Sequence, residues 1–199
     1  MFKTKEALIP YLLLVAALAG GLLWHESQSL PGLGRTVTTG TASVGGPIHL
    51  TDQNGKPWNS TDSHGKYLLI YFGYSFCPDV CPATLAVMSD ALDKMGKDAD
   101  RIVPVFVTID PARDTPAILK QYMGEFGPRF VGLTGSDSQI KEVEKQYRVY
   151  AKKQPLEGGK YAMDHSSVIY LMAPDGKLAT FYDGLTSADA LAKDLKQKI

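Results

Sequence analysis

YLLIYFGYSFCPDVCPATL, residues 67–85, carries a strand, a turn and the start of a helix in one stretch. Tyr67 to Phe72 is an unbroken apolar run, the pattern of a central strand buried on both faces. Beyond the turn, Leu85, Met88, Leu92 and Met95 recur at helical spacing, and Gly96 stands where that helix should end. Met88 and Met95 are therefore read as core. The chain's only two cysteines, Cys77 and Cys81, fall at the junction of strand and helix, four positions apart. Unpaired backbone N–H groups and the helix dipole at such a junction stabilise a thiolate. If the segment is helical, the i to i+4 spacing sets both sulfurs on one face, close enough to share a metal ion or to form a disulfide. Geometry alone does not choose between them. Pro78 and Pro82 stiffen the turn.

Working outward, Ile102 to Ile109 (IVPVFVTI) reads as a second buried strand. Asp114-Thr115-Pro116 is a helix start signal, followed by a stripe of Ile118, Tyr122 and Phe126. Next come a short strand around Phe130 to Leu133 and a helix carrying Ile140, Val143 and Tyr147. Strands Val168 to Met172 and Leu178 to Tyr182 pair around Pro174-Asp175-Gly176, and a last helix carries Ala188, Leu191 and Leu195. On the other side, Ile48, Leu50 and the Asn54-Gly55 turn indicate a small N-terminal hairpin. Strands that alternate with helices and close in a hairpin plus helix describe an α/β sandwich of thioredoxin type, with the extra hairpin at its start. It occupies residues 46–199.

Residues 7–24 contain no charge and are mostly Leu, Ala, Val and Ile. About 18 residues at ~1.5 Å each reach roughly 27 Å, close to the ~30 Å hydrocarbon core of a bilayer. Residues 1–24 are thus read as a cytoplasmic tip and a single transmembrane helix, with Lys3 and Lys5 on the cytoplasmic side and Trp24 at the outer interface. A cleaved signal peptide ending at Ala17-Leu18-Ala19 competes, but the apolar run continues through Leu23 where a cleavage region turns polar. Either reading exports the domain, and a bacterial inner membrane with the domain facing the periplasm fits best. Residues 25–45, rich in Gly, Ser and Thr, form a flexible linker; about 20 such residues span roughly 22 to 27 Å. The 21 basic and 21 acidic residues cancel, with no Lys/Arg block, so nucleic acid is a poor partner.

Two thiolates make a soft site that selects copper(I), and a nitrogen ligand would extend it to copper(II) or, less readily, zinc. His165 is the candidate nitrogen. It lies in YAMDHSS, expected to be a loop at the entrance of the strand Val168 to Met172, with Asp164 placed to orient its ring. Cysteine pairs in exported proteins more often form plain structural disulfides. The loop position, the flanking prolines and the lack of other cysteines weigh against that here. His25, juxtamembrane, His49, in an expected strand, and His64, in a polar turn, gain no such support.

Four motifs in this order resemble the Sco/SenC family of copper-binding proteins that assist cytochrome c oxidase assembly. They are GGPIHLTDQNGK, YFGYSFCPDVCPATL, VFVTIDPARDTP and DHSSVIYLMAPDGK, spanning Gly46 to about Tyr182. The resemblance implies a single-pass anchor, a thioredoxin fold with an inserted hairpin, and copper held by two cysteines and a histidine, here Cys77, Cys81 and His165. It further implies delivery of copper to, or reduction of the cysteines of, the dinuclear copper centre (CuA) of oxidase subunit II, with an upstream copper donor or thiol reductant. Asp110, Pro111, Arg113 and Asp114 belong to the same signature without a ligand role: Asp114 could cap a helix, and Arg113 could meet an acidic partner or pair with a carboxylate.

Beside the metallochaperone stands a thiol-disulfide oxidoreductase in which Cys77 attacks and Cys81 resolves. Three intervening residues, where the familiar redox motif has two, count slightly against it. A thiol peroxidase would want Thr or Ser three residues before Cys77, where Tyr74 stands. A copper sensor is compatible with the same residues.

Overall fold

The central strand forms where the apolar run lies, and everything else is arranged around it. The computed structural model describes residues 44–63 and 65–199; the expected membrane segment, the linker up to residue 43, His25 and His64 lie outside them. Strand β3 (Tyr67–Gly73) is buried along nearly its whole length. It pairs in parallel with β4 (Ile102–Thr108), from Tyr67↔Ile102 to Gly73↔Thr108. The connection between them is α1 (Val80–Met95), which buries Leu85, Met88, Leu92 and Met95 and stops at Gly96, whose φ of 63° suits a residue without Cβ. A second crossover through α2 (Pro116–Gly124) leads to β5 (Val131–Thr134), again parallel.

The start of α2 is as the sequence predicts: Pro116 is in its first turn and the Thr115 hydroxyl accepts from the Ile118 N–H. Helix α3 (Asp137–Tyr147) opens on a capping box of Ser136 and Gln139. The N-terminal hairpin is present as β1 (His49–Asp52) and β2 (Pro57–Asn59), with Gly55 at φ 76° in its turn. After α3 the chain forms β6 (Ala151–Pro155), β7 (Tyr161–His165), β8 (Val168–Met172), β9 (Leu178–Asp183) and α4 (Ala188–Lys198). One seven-stranded sheet runs β2-β1-β5-β4-β3-β8-β9, with β8 antiparallel to β3. Helices α1 and α4 pack together, and α2 packs on β5. This is the α/β sandwich expected, and it places the end of β3 and the start of α1 at one edge of the core.

One element differs from the sequence reading. Tyr161–His165, within the YAMDHSS stretch expected to be loop, form β7 and pair with β6 in a two-stranded antiparallel ribbon outside the main sheet. AKKQP and YAMDH carry lysines, a proline and half-exposed positions, so neither shows the apolar alternation that marks a strand. Among the described residues no helix is long and apolar enough to cross a membrane.

Candidate metal centre

Cys77 lies in the bend between β3 and α1, its N–H donating to the Tyr74 carbonyl at 3.2 Å. It precedes the helix rather than belonging to it. The nominal cap residue, Asp79, makes no side-chain cap bond; the Asp79 and Cys81 amides favour the thiolate form of Cys77. That sulfur therefore sits in the positive field of the helix start. Cys81 is in the first turn of α1 and fully buried, whereas Cys77 is 9% exposed.

His165 ends β7 and points its Nε2 at the Cys81 Sγ, 3.4 Å away. The two sulfurs and the imidazole offer ligand atoms all within 4.8 Å of one another, the one such group among the described residues. The expected orienting role of Asp164 is not seen: it is exposed and accepts from the Tyr150 hydroxyl at 3.5 Å. The ring is set by the Ser166 carbonyl, 3.1 Å from Nδ1. With Nδ1 donating there, Nε2 keeps its lone pair for a metal. Tyr74 and Tyr71 flank the imidazole edge-on, with centroids 5.9 and 6.3 Å away.

The two thiols are unequal. A hydrogen bond from the Cys81 thiol, assisted against burial by the two backbone amides, drives the Cys77 thiol well below its ordinary range. The same bond, with burial, drives Cys81 up. Both cysteines are free. The pair thus holds one thiolate, nearer the surface, and one protonated thiol beneath it. Tyr71 adds a long contact, its hydroxyl 3.9 Å from the Cys81 sulfur and 3.3 Å from the Ser167 hydroxyl.

Three supports were not readable as such in the sequence. A Cβ on Gly73 would lie 2.8 Å from the Cys81 sulfur, so the last residue of β3 is a glycine that makes room for the thiol. Asp114 does not cap α2, a role that Thr115 takes. Fully buried, it accepts from the Ser75 N–H at 3.0 Å, the Ser75 hydroxyl and the Thr108 hydroxyl at 2.6 Å, tying the cysteine turn to the end of β4. Arg113 pairs with Asp110, one of the two alternatives its sequence left open. The signature IDPARDTP pointed to these residues, but nothing in it tells which way they face.

Comparison with known proteins places these observations. The family model SCO1/SenC matches residues 36–199. Protein SCO1 homolog 1, mitochondrial, of Arabidopsis thaliana is 40% identical over 167 residues; the match covers 80% of this chain and 49% of that one, so the chain spans about half its length. The copper-bound structure of Bradyrhizobium japonicum ScoI superposes with a TM-score of 0.73 at 46% identity, covering 79% of this chain and 100% of that one. BsSco, described as a member of the Sco family of cytochrome c oxidase assembly proteins with a disulfide switch, matches with a TM-score of 0.63 at 26% identity, over 78% and 93% of the two chains.

Proposed function

This chain belongs to the SCO1/SenC family, and from that premise we propose that it is a copper metallochaperone in which Cys77, Cys81 and His165 take copper and pass it on. The receiver is the CuA site of cytochrome c oxidase subunit II. The observation that carries the reading is the donor set: two free thiols and an imidazole nitrogen within bonding reach of one ion. Thiolates favour copper(I), and the nitrogen extends the set to copper(II). Three donors are one short of the closed tetrahedral shell of structural zinc. A partner thiolate can therefore enter before a ligand of this chain leaves, which suits a cargo. The copper-bound Bradyrhizobium relative supports the choice of metal.

The remaining assignments follow the same reading. Residues 1–24 anchor the chain in a bacterial inner membrane, 25–45 tether it, and 46–199 present the copper site to the periplasm, where an upstream copper donor or thiol reductant supplies it.

The unequal thiols favour a second reading, a thiol-disulfide oxidoreductase acting on the same partner. The Cys77 thiolate would attack the partner's disulfide, forming a mixed disulfide and releasing one partner thiolate. Cys81, after losing its proton, would attack the Cys77 sulfur, closing the Cys77–Cys81 disulfide and releasing the second thiolate. His165 has no bond to make in that sequence.

One experiment separates the two. The chain is mixed anaerobically with a subunit II CuA domain, once copper-loaded against reduced acceptor and once copper-free against oxidised acceptor. The chaperone predicts that copper moves to the reduced acceptor and that His165→Ala abolishes the transfer. Reduction of the oxidised acceptor at the same rate by wild type and His165→Ala, with no copper movement, would replace the first reading by the second.

A further inference from the structure

We infer that Arg113 is a positioning residue of this site: its guanidinium clips the β6–β7 ribbon, which carries His165, to the turn that carries Cys77. The inference rests on the three-donor reading above and adds how the third donor is kept in place. Both thiols hang from the junction of β3 and α1, at the end of a strand buried in the main sheet. His165 lies outside that sheet, three residues before β8. It ends β7, and β7 pairs only with β6 among the described strands. A two-stranded ribbon is marginally stable alone in water, so something besides its own ladder must hold the imidazole at 3.4 Å from Cys81.

Arg113 touches both parts. Its Nε pairs with Asp110, and its Nη1 donates to the Tyr161 carbonyl at 3.0 Å, at the first residue of β7. The guanidinium carbon lies 3.8 Å from the centroid of the Tyr161 ring, 5.0 Å from that of Phe76 and 5.4 Å from that of Tyr74. Phe76 is the residue before Cys77, and Tyr74 is the ring set edge-on to His165. The Tyr161 hydroxyl closes the circuit by donating to the Asp110 carboxylate at 2.9 Å. Lys153, on β6, places its ammonium 3.6 Å from the centroid of the same ring.

The side chain is committed to this task. It is only 23% exposed, its Nε and Nη1 are engaged, and Nη2 is buried without a hydrogen-bond partner among the described residues. A guanidinium so enclosed is poorly disposed to greet an acidic partner. The planar fork matters as well as the charge: Lys could face Asp110 but could not also bond the Tyr161 carbonyl while stacking on its ring.

The test uses the full chain, with Arg113→Gln, Arg113→Lys and His165→Ala beside wild type. In the copper-free protein, Arg113→Gln should raise amide hydrogen exchange over residues 151–165 by about tenfold or more while β3 and β4 stay protected. With copper(II) alone added, its absorption spectrum should shift toward that of His165→Ala, and Arg113→Lys should fall between. Wild-type exchange in the ribbon of Arg113→Gln, with a wild-type copper spectrum, would overturn the clip. If β3 and β4 also lose protection, the Lys variant decides by the same two readings. A copper spectrum indifferent to His165→Ala would sink the three-donor reading instead, leaving ribbon exchange to judge the clip by itself.

Discussion

At the scale of single residues, the inequality of Cys77 and Cys81 has a direct chemical consequence. A thiol held below its ordinary range keeps its reactive thiolate as pH falls, whereas one near the usual value loses it by protonation. Alkylation of Cys77 by iodoacetamide should therefore change little between about pH 8 and about pH 6, where an ordinary thiol slows by roughly 100-fold. Cys81, pushed up and fully buried, should stay unmodified throughout. Peptide mapping by mass spectrometry checks this; equal labelling of both cysteines would contradict it. Gly73 supplies a second test. Gly73→Ala forces a methyl group against the Cys81 sulfur, an overpacking that costs about 1–3 kcal/mol and displaces a proposed ligand. Denaturant unfolding and copper titration should both show the loss, and an unchanged copper affinity would remove Gly73 from the site. Cys77 and Cys81 were legible in the sequence because their spacing and place before a helix have a physical meaning. Asp114 was not, because it meets Ser75 across 39 residues, and local pattern carries no information about such a pairing.

At the scale of elements, legibility followed burial. β3, β4 and α1 are apolar runs or stripes because the sandwich buries them, and the sequence states that plainly. Thr115-Pro116 and Ser136 with Gln139 announce α2 and α3 through their own capping chemistry. The β6–β7 ribbon is held by backbone pairing, by the ring of Tyr161 on Arg113 and by Ala151 and Met163 on the core, too few apolar contacts to impose a periodic pattern. That is why His165 was expected in a loop and is found on a strand. A cap and a site are separable in this architecture. Thr115→Ala should cost about 1 kcal/mol and lower the melting temperature by about 2–4 °C. Copper affinity should be untouched, since α2 contributes none of the three donors. A matched fall in copper binding, read by titration, would mean that α2 reaches the site in a way the geometry does not provide.

At the scale of the whole molecule, the fold's contribution is to bring an imidazole 84 residues beyond Cys81 to within 3.4 Å of its sulfur. No unfolded chain keeps that proximity, so metal affinity and folding are coupled. The coupling includes protons: Cys77 is already ionised, while Cys81 must give up its proton to bind metal. Copper binding should therefore release a proton and weaken as pH falls. The most direct test of the central claim is an anaerobic copper titration of the reduced domain from Gly46 onward, followed by absorption spectroscopy, in wild type, His165→Ala and Cys77→Ser. The account predicts tight one-to-one binding with thiolate-to-copper(II) charge transfer in wild type, lost or strongly altered in both variants. Weak binding that is indifferent to His165 would contradict it.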